Sequence, residues 1–136
     1  MAFTARLTAR FHFEAAHHMP NFPIGHPNRR PHGHSYEVDV TVEGPVQADS
    51  GVVMDHAELT AAAGPVVAEL DHAYLNEIHG LELPTGECIA RWVWNRLSPS
   101  LPLLSCVRVN RPSCGISIEY DGPGADPSSG DTGVER

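Results

Sequence analysis

Three histidines in two separate segments could hold a metal ion, and their spacing suggests it. His32 and His34 stand on either side of Gly33, at the start of an alternating run. In a strand, residues i and i+2 point to the same side, so both imidazoles can reach one point. His17 follows an earlier alternating run in phase with Phe13, which predicts the same inner face. Three neutral imidazoles with a vacant position are typical of a catalytic zinc site.

The pair around Gly33 is a weak signal by itself, because nine histidines in 136 residues produce near pairs by chance. The zinc hypothesis therefore depends on the third, in-phase histidine. His12 and Glu14 are out of phase and are predicted to face solvent. The remaining histidines with no assigned role are taken as surface residues: His18, His56 and His79.

Two strands are predicted to carry this site. Residues 3–13 and 34–43 alternate apolar and polar side chains, which is the period of a half-buried strand. Between them lies the proline-rich stretch 19–31, which blocks regular structure and makes an irregular loop of the kind that carries function.

Two helices and two further strands follow. Asp55 is a plausible N-cap for a helix over 55–70, and a second helix is predicted from Thr85 to about Leu97, with Glu87 free for another task. Strands are predicted at about 104–111 and 115–120. This order predicts an α+β domain over 1–121, a four-stranded antiparallel sheet with two helices on one face. Residues 122–136 are predicted to be a disordered tail.

Composition excludes several classes of function. The formal charge of −8 and the scattered arginines predict that neither nucleic acid nor a membrane is a partner, and no apolar run is long enough to span a bilayer. We therefore expect a cytoplasmic protein. The chain has no lysine, which excludes Schiff-base chemistry. Its cysteines, which form no CxxC motif, are predicted to be ordinary reduced thiols: Cys88, Cys106 and Cys114.

The motifs of this chain, in their order, resemble those of one enzyme family. They are Phe11-x-Phe13-x-Ala15-Ala16-His17, His32-Gly33-His34-Ser35-Tyr36, Gly51-Val52-Val53-Met54-Asp55, Leu70-Asp71-His72-x-Tyr74-Leu75-Asn76 and Pro84-Thr85-x-Glu87. Over about residues 5–121 they look like the 6-pyruvoyl-tetrahydropterin synthase and 6-carboxy-tetrahydropterin synthase family, and most like its bacterial queuosine-pathway members. The resemblance implies the tunnelling fold (T-fold), in which trimers close their sheets into a barrel and stack as hexamers, with active sites between subunits.

The resemblance also implies Zn²⁺ on His17, His32 and His34, and an acid/base pair formed by Asp71 and His72. A carboxylate can orient an imidazole and raise its basicity, which suits proton transfer near neutral pH. Adjacent residues in an extended segment point apart, so Asp71 could instead serve a histidine of another subunit. The plain alternative is a polar cluster at the end of a helix.

Two positions depart from the family's pattern. The family has a cysteine base four residues before the first histidine of its HGH motif, where this chain has Asn28, whose amide cannot hold a proton as a thiolate can. The glutamate that binds the pterin's N–H edge aligns with Arg111, unless the alignment is shifted toward Glu119. Arginine has donors only, so Arg111 suits a carboxylate, phosphate or enolate oxygen.

These departures predict retained zinc chemistry on a changed substrate. We expect a lyase or cyclase that acts on a small oxygenated metabolite other than the usual pterin, with His72 and Asp71 moving a proton. The predicted substrate-binding residues are Asn28, Glu87, Arg111, Thr85 and His26. The predicted partners are this substrate and further copies of the chain, as a trimer or hexamer.

Two alternatives stay open at the level of the sequence. One is an authentic 6-carboxy- or 6-pyruvoyl-tetrahydropterin synthase acting on dihydroneopterin triphosphate, with His26 or His18 in place of the thiol. The other is a non-catalytic paralogue that keeps zinc for folding.

Overall fold

The computed structural model describes residues 2–124, which form one sheet with two helices on it. The strands lie in the order β3-β1-β2-β4-β5. Their bounds are Thr4–His17 (β1), His32–Pro45 (β2), Ala73–Tyr74 (β3), Leu104–Arg111 (β4) and Ile116–Tyr120 (β5). The helices are His56–Ala68 (α1) and Gly86–Leu97 (α2).

Strands β1 and β2 form one long antiparallel ladder. Their pairing runs without a break from Thr4 opposite Pro45 to His17 opposite His32. Both strands alternate apolar and polar residues, so one register buries the apolar set of both. The same register places His17 and His32 side by side at the end of the ladder.

Both helices begin at capped residues, as the sequence predicts. The side chain of Asp55 accepts a hydrogen bond from the Ala57 N–H at 2.9 Å, and Thr85 Oγ1 accepts one from Cys88 N–H at 3.1 Å. The buried helix residues are Leu59, Ala63, Val66, Val67, Ile89, Ala90, Val93 and Leu97. They pack against the apolar face of the sheet and form the core. Neither helix in the described range has the length and apolarity that a bilayer crossing requires.

The predicted α+β arrangement is confirmed, but the prediction of a purely antiparallel, four-stranded sheet is wrong. The two-residue strand β3 pairs in parallel with the end of β1 and makes the sheet mixed. Asp71 Oδ1 accepts a hydrogen bond from Glu14 N–H at 2.9 Å, and His72 N–H donates to Glu14 O at 2.6 Å. These bonds tie the segment after α1 to the edge of β1, and two residues are too few for a periodic pattern to predict.

Gly122 is the first residue of the predicted tail. This glycine has φ 102°, and a Cβ there would lie 2.6 Å from Trp94 Cζ2, so only glycine allows this close approach to the indole. Residues 125–136 of the predicted tail lie outside the described residues. The cysteines are free thiols, as expected.

Candidate metal centre and active site

His17, His32 and His34 come together at the end of the sheet where β1 finishes and β2 begins. One nitrogen from each ring lies within 4.8 Å of the corresponding nitrogens of the other two. The ring centroids are 4.6 Å apart for His17 and His32, 5.0 Å for His17 and His34, and 4.9 Å for His32 and His34. These three residues, here called the histidine triad, could hold one metal ion.

Backbone carbonyls decide which ring nitrogens face the centre of the triad. His17 Nδ1 lies 2.9 Å from Pro84 O, and His32 Nδ1 lies 2.7 Å from Arg30 O. A carbonyl oxygen only accepts, so in the neutral rings both Nδ1 atoms carry the proton and both Nε2 atoms carry a lone pair. The two Nε2 atoms are 3.1 Å apart. Lone pairs at this distance repel each other unless a cation lies between them, so the donor set fits a metal ion.

The surroundings of the triad favour neutral imidazoles, which are the form that binds a metal. Burial lowers the pKa of His17, which is 2% exposed. Burial, followed by the charge of Arg111, lowers the pKa of His34 to about 4. Both rings therefore stay uncharged across the neutral pH range.

In the presence of a chelator, the protein is expected to lose stability as the pH falls from 6.5 toward about 4. The pKa of His34 drops from 6.5 to about 4 on folding, so below 6.5 the unfolded chain binds a proton that the folded chain does not. The melting temperature should therefore fall by several degrees between about pH 6.5 and about pH 5, where carboxylates do not yet titrate.

Two variants test the source of this loss. His34→Gln should reduce the pH dependence and leave the smaller part that His17 contributes, whereas His79→Ala, a change at a fully exposed side chain, should leave it as it is. Equal melting temperatures for the wild-type protein at both pH values would contradict the assignment.

Arg111 is a cation in contact with the triad. It ends β4, and its Nη1 donates to His34 Nε2 at 3.1 Å. The register of β2 with β4, which pairs Glu37 with Asn110, brings the end of β4 beside His34. The sequence predicts Arg111 as a substrate-binding residue, and the structure brings it into contact with the triad.

Glu119 lies on the opposite face of the sheet from Arg111. It pairs in register with Arg108, and the two side chains approach to 3.8 Å. Both line a cleft of about 550 Å³ on the face that carries no helix. Because side chains alternate along β4, Glu119 and its partner Arg108 face away from the triad within one chain.

Asp71 and His72 contact each other, with 3.0 Å between Asp71 Oδ2 and His72 Nδ1. The expectation that neighbouring side chains point apart fails here, because His72 has φ 59° rather than extended geometry. Hydrogen bonding from Glu14 N–H, followed by that from His72, lowers the pKa of Asp71. The pair is thus a carboxylate that orients a largely exposed imidazole.

The Asp71–His72 pair is not hydrogen-bonded to the triad in the range 2–124. His72 lines an open cleft of about 540 Å³ together with His34, Glu14 and Ser35. Strand alternation puts Glu14 and Ser35 on the face opposite to the triad's rings. Within one chain, His72 and His34 therefore line the same cleft, but the pair makes no hydrogen bond to the triad.

The other predicted substrate-binding residues lie in the segment before β2 and at the start of α2. Asn28 is exposed, and its N–H donates to His26 Nδ1 at 3.1 Å, so His26 caps a short 3-10 helix. Thr85 caps α2, and Glu87 is exposed in the first turn of that helix. Thr85 directly follows Pro84, the carbonyl partner of His17, and Glu87 comes two residues after Thr85.

Sequence reasoning missed several groups at the site. The carbonyls of Pro84 and Arg30 orient triad rings, and a backbone carbonyl leaves no signal in residue type. Tyr36 lies with its ring edge toward His34, at 5.7 Å between centroids, and its position in phase with His32 and His34 was the available signal. His18 and Tyr74 form a contact of 2.5 Å between Nδ1 and the hydroxyl, which needs tertiary structure to detect.

Comparisons of the sequence with known proteins point to one family. Residues 6–123 match the sequence profile of the family described as 6-pyruvoyl tetrahydropterin synthase. The 6-carboxy-5,6,7,8-tetrahydropterin synthase of Synechocystis sp. is 38% identical over 125 residues, which cover 86% of this chain and 93% of that protein. The dihydroneopterin monophosphate aldolase of Pyrococcus furiosus is 38% identical over 98 residues, covering 72% and 79%.

A solved structure gives the same picture of the fold. The 6-pyruvoyl tetrahydropterin synthase of Caenorhabditis elegans superposes with a TM-score of 0.78 at 24% identity, over 88% of this chain and 96% of that one. The mixed sheet, the two helices and the histidine triad define an α+β protein with a candidate metal centre. The chain belongs to the 6-pyruvoyl tetrahydropterin synthase family.

Proposed function

We propose that this chain is a zinc-dependent lyase or cyclase that acts on a small, oxygenated, anionic metabolite other than the usual pterin. The reaction class is proton transfer next to a carbonyl, retro-aldol cleavage or ring closure. The observation that carries the proposal is a guanidinium, Arg111, in contact with the histidine triad. A zinc ion, when bound, would polarise a substrate carbonyl and acidify the neighbouring C–H.

The histidine triad would hold the ion. Support for this role comes from the facing lone pairs of His17 and His32 and from the lowered pKa of His34. The carbonyls of Pro84 and Arg30 fix the ring orientations, as partners of metal-binding histidines commonly do.

His72 would move the proton and Asp71 would hold its ring. The Asp71 carboxylate accepts from Nδ1, which leaves Nε2 of a largely exposed ring to meet a reactant. Because the pair has no direct contact with its own triad, we propose that it works at the triad of a neighbouring subunit. A trimer or hexamer would then be the active form.

The substrate would be held by groups on three segments. Arg111 would bind an anionic oxygen, in the position where the resemblance puts a pterin-binding glutamate, and Asn28 would donate a hydrogen bond where the resemblance puts a cysteine. Glu87 and Thr85, at the start of α2, and His26 would complete the pocket.

A second candidate is an authentic 6-carboxy-tetrahydropterin synthase, which the 38% identity with the Synechocystis protein favours. It requires His18 or His26 to replace the thiol base. His26 Nδ1 accepts a hydrogen bond from Asn28 N–H, so the neutral ring carries its proton on Nε2 and has no lone pair free for a base. His18 keeps a free lone pair on Nε2 when its Nδ1–H donates to the Tyr74 hydroxyl. The third possibility is a paralogue that keeps zinc for folding alone.

Turnover by zinc-loaded wild-type protein and by zinc-loaded His72→Ala separates these possibilities. Each is incubated with dihydroneopterin triphosphate and with a panel of hydroxylated carboxylates and phosphates, followed by NMR. The proposal expects the wild-type protein to consume a panel compound but not the pterin, and His72→Ala to keep its zinc while losing turnover. Consumption of the pterin would favour the second candidate, and no turnover at all would favour the structural paralogue.

A further inference from the structure

The hydrogen bond between Arg111 and His34 and the binding of a metal by His34 exclude each other. A neutral imidazole has one N–H and one lone pair. Arg111 Nη1 lies 3.1 Å from His34 Nε2, and a guanidinium can only donate, so this bond uses the lone pair of the ring. His34 cannot offer that lone pair to an ion at the same time. Metal loading must therefore release Arg111 from His34.

Once released, Arg111 is a positive charge beside a metal ion, and no negative side chain neutralises the arginine within residues 2–124. Among residues 2–124, no carboxylate forms an ion pair with Arg111, and its hydrogen-bond partner in that range is His34. Two positive charges in a partly buried place repel each other strongly. A ligand that brings an anionic group between them removes this cost.

Tyr36 supplies a second donor at the same corner of the sheet. Its residue is 1% exposed, and its hydroxyl has no hydrogen-bond partner in the described range. The register of β2 with β4 sets Tyr36 next to Arg111 on the helix face. Stacking on Phe13, at 4.6 Å between ring centroids, fixes the ring. A tyrosine hydroxyl can donate one hydrogen bond.

We propose that Arg111 and Tyr36 form a carboxylate subsite that becomes available when the metal is loaded. This deepens the proposed function by naming the substrate class, and it rests on that function only for the metal at the triad. The guanidinium starts 3.1 Å from a ligand nitrogen of the triad, so a carboxylate attached to the carbon that carries the chelating oxygen would reach it with the least movement of the arginine. The ligand class is therefore a 2-hydroxy or 2-oxo carboxylate.

Calorimetric titration of zinc-loaded protein with glycolate and with glycolamide tests this proposal. The two probes share the hydroxyl and the neighbouring carbonyl oxygen, and they differ in charge. Arg111→Met should weaken glycolate binding by about 10- to 100-fold, the range for hydrogen bonds to charged groups, while changing glycolamide binding by less than about threefold. Tyr36→Phe, which keeps the ring and its stacking, should weaken glycolate binding by about five- to tenfold.

The affinity for zinc, measured without glycolate or any other carboxylate ligand, gives an independent test, because here Arg111→Met should raise the affinity rather than lower it. Arg111→Met should bind zinc more tightly than the wild-type protein, by about tenfold, because it removes both the competing hydrogen bond and the neighbouring charge. Arg108→Met, which removes an arginine from the other face of the sheet, should change neither affinity.

The outcomes distinguish this inference from the proposed function. If Arg111→Met leaves glycolate affinity unchanged, or weakens both probes equally, the carboxylate subsite is overturned while zinc-dependent turnover can still stand. If the wild-type protein binds no zinc, both the subsite and the proposed function are overturned. Tight glycolate binding that depends on Arg111, without turnover of any substrate, supports the subsite and contradicts the proposed catalytic role.

Discussion

His32→Ala is expected to lower the affinity of the protein for zinc by more than about 100-fold. Loss of a residue that only hydrogen-bonds to a metal ligand already lowers metal affinity by about 10- to 100-fold, and His32 is itself a predicted ligand. His32 is the suitable member of the triad to remove, because it is only partly buried and His17 is in the core. Competition with a chromophoric chelator measures the change.

The matched control is His79→Ala, which removes a fully exposed histidine away from the triad. It should leave zinc affinity within about twofold of the wild-type value. Circular dichroism should show that both variants keep the secondary structure of the parent. Equal zinc affinities for His32→Ala and His79→Ala would contradict the assignment of the triad.

Arg111→Glu is expected to reverse the ligand preference of the site. The carboxylate introduced at this position accepts hydrogen bonds, and it can therefore pair with the N–H edge of a pterin, which a guanidinium cannot do. Affinity for 7,8-dihydroneopterin should rise by more than about tenfold, and affinity for glycolate should fall by more than about 100-fold because like charges then face each other. Titration of zinc-loaded protein with both compounds measures the two effects.

Arg108→Glu provides the control for the change in net charge, since this side chain lies on the opposite sheet face. It should leave both affinities near the wild-type values. If the wild-type protein already binds dihydroneopterin as tightly as Arg111→Glu does, the changed-substrate proposal is wrong and the authentic synthase becomes the better account.

The histidine triad could be predicted from sequence because strand alternation is a local property. His17 follows the phase of Phe13, and His32 and His34 follow the phase of Tyr36, so each strand by itself shows where its rings point. Pairing of the two strands through their apolar faces then brings the rings together. No information from distant parts of the chain was needed beyond that pairing.

Other parts of the site depend on contacts that the local pattern does not contain. Arg111 and His34 are 77 positions apart in the chain, and their contact follows from the register of β4 against β2. The Asp71–His72 contact requires a positive φ at a residue other than glycine, which sequence does not signal. The short strand β3 depends on the bonds of Asp71 and His72 to Glu14.

X-ray absorption at the zinc K edge of the zinc-loaded protein tests the central claim most directly. The claim is that three imidazoles bind one ion and leave a position for a reactant. The expected spectrum has three imidazole nitrogens at about 2.0–2.1 Å and one further oxygen, which glycolate replaces or supplements. A sulfur ligand at about 2.3 Å, or fewer than three imidazoles, would contradict it.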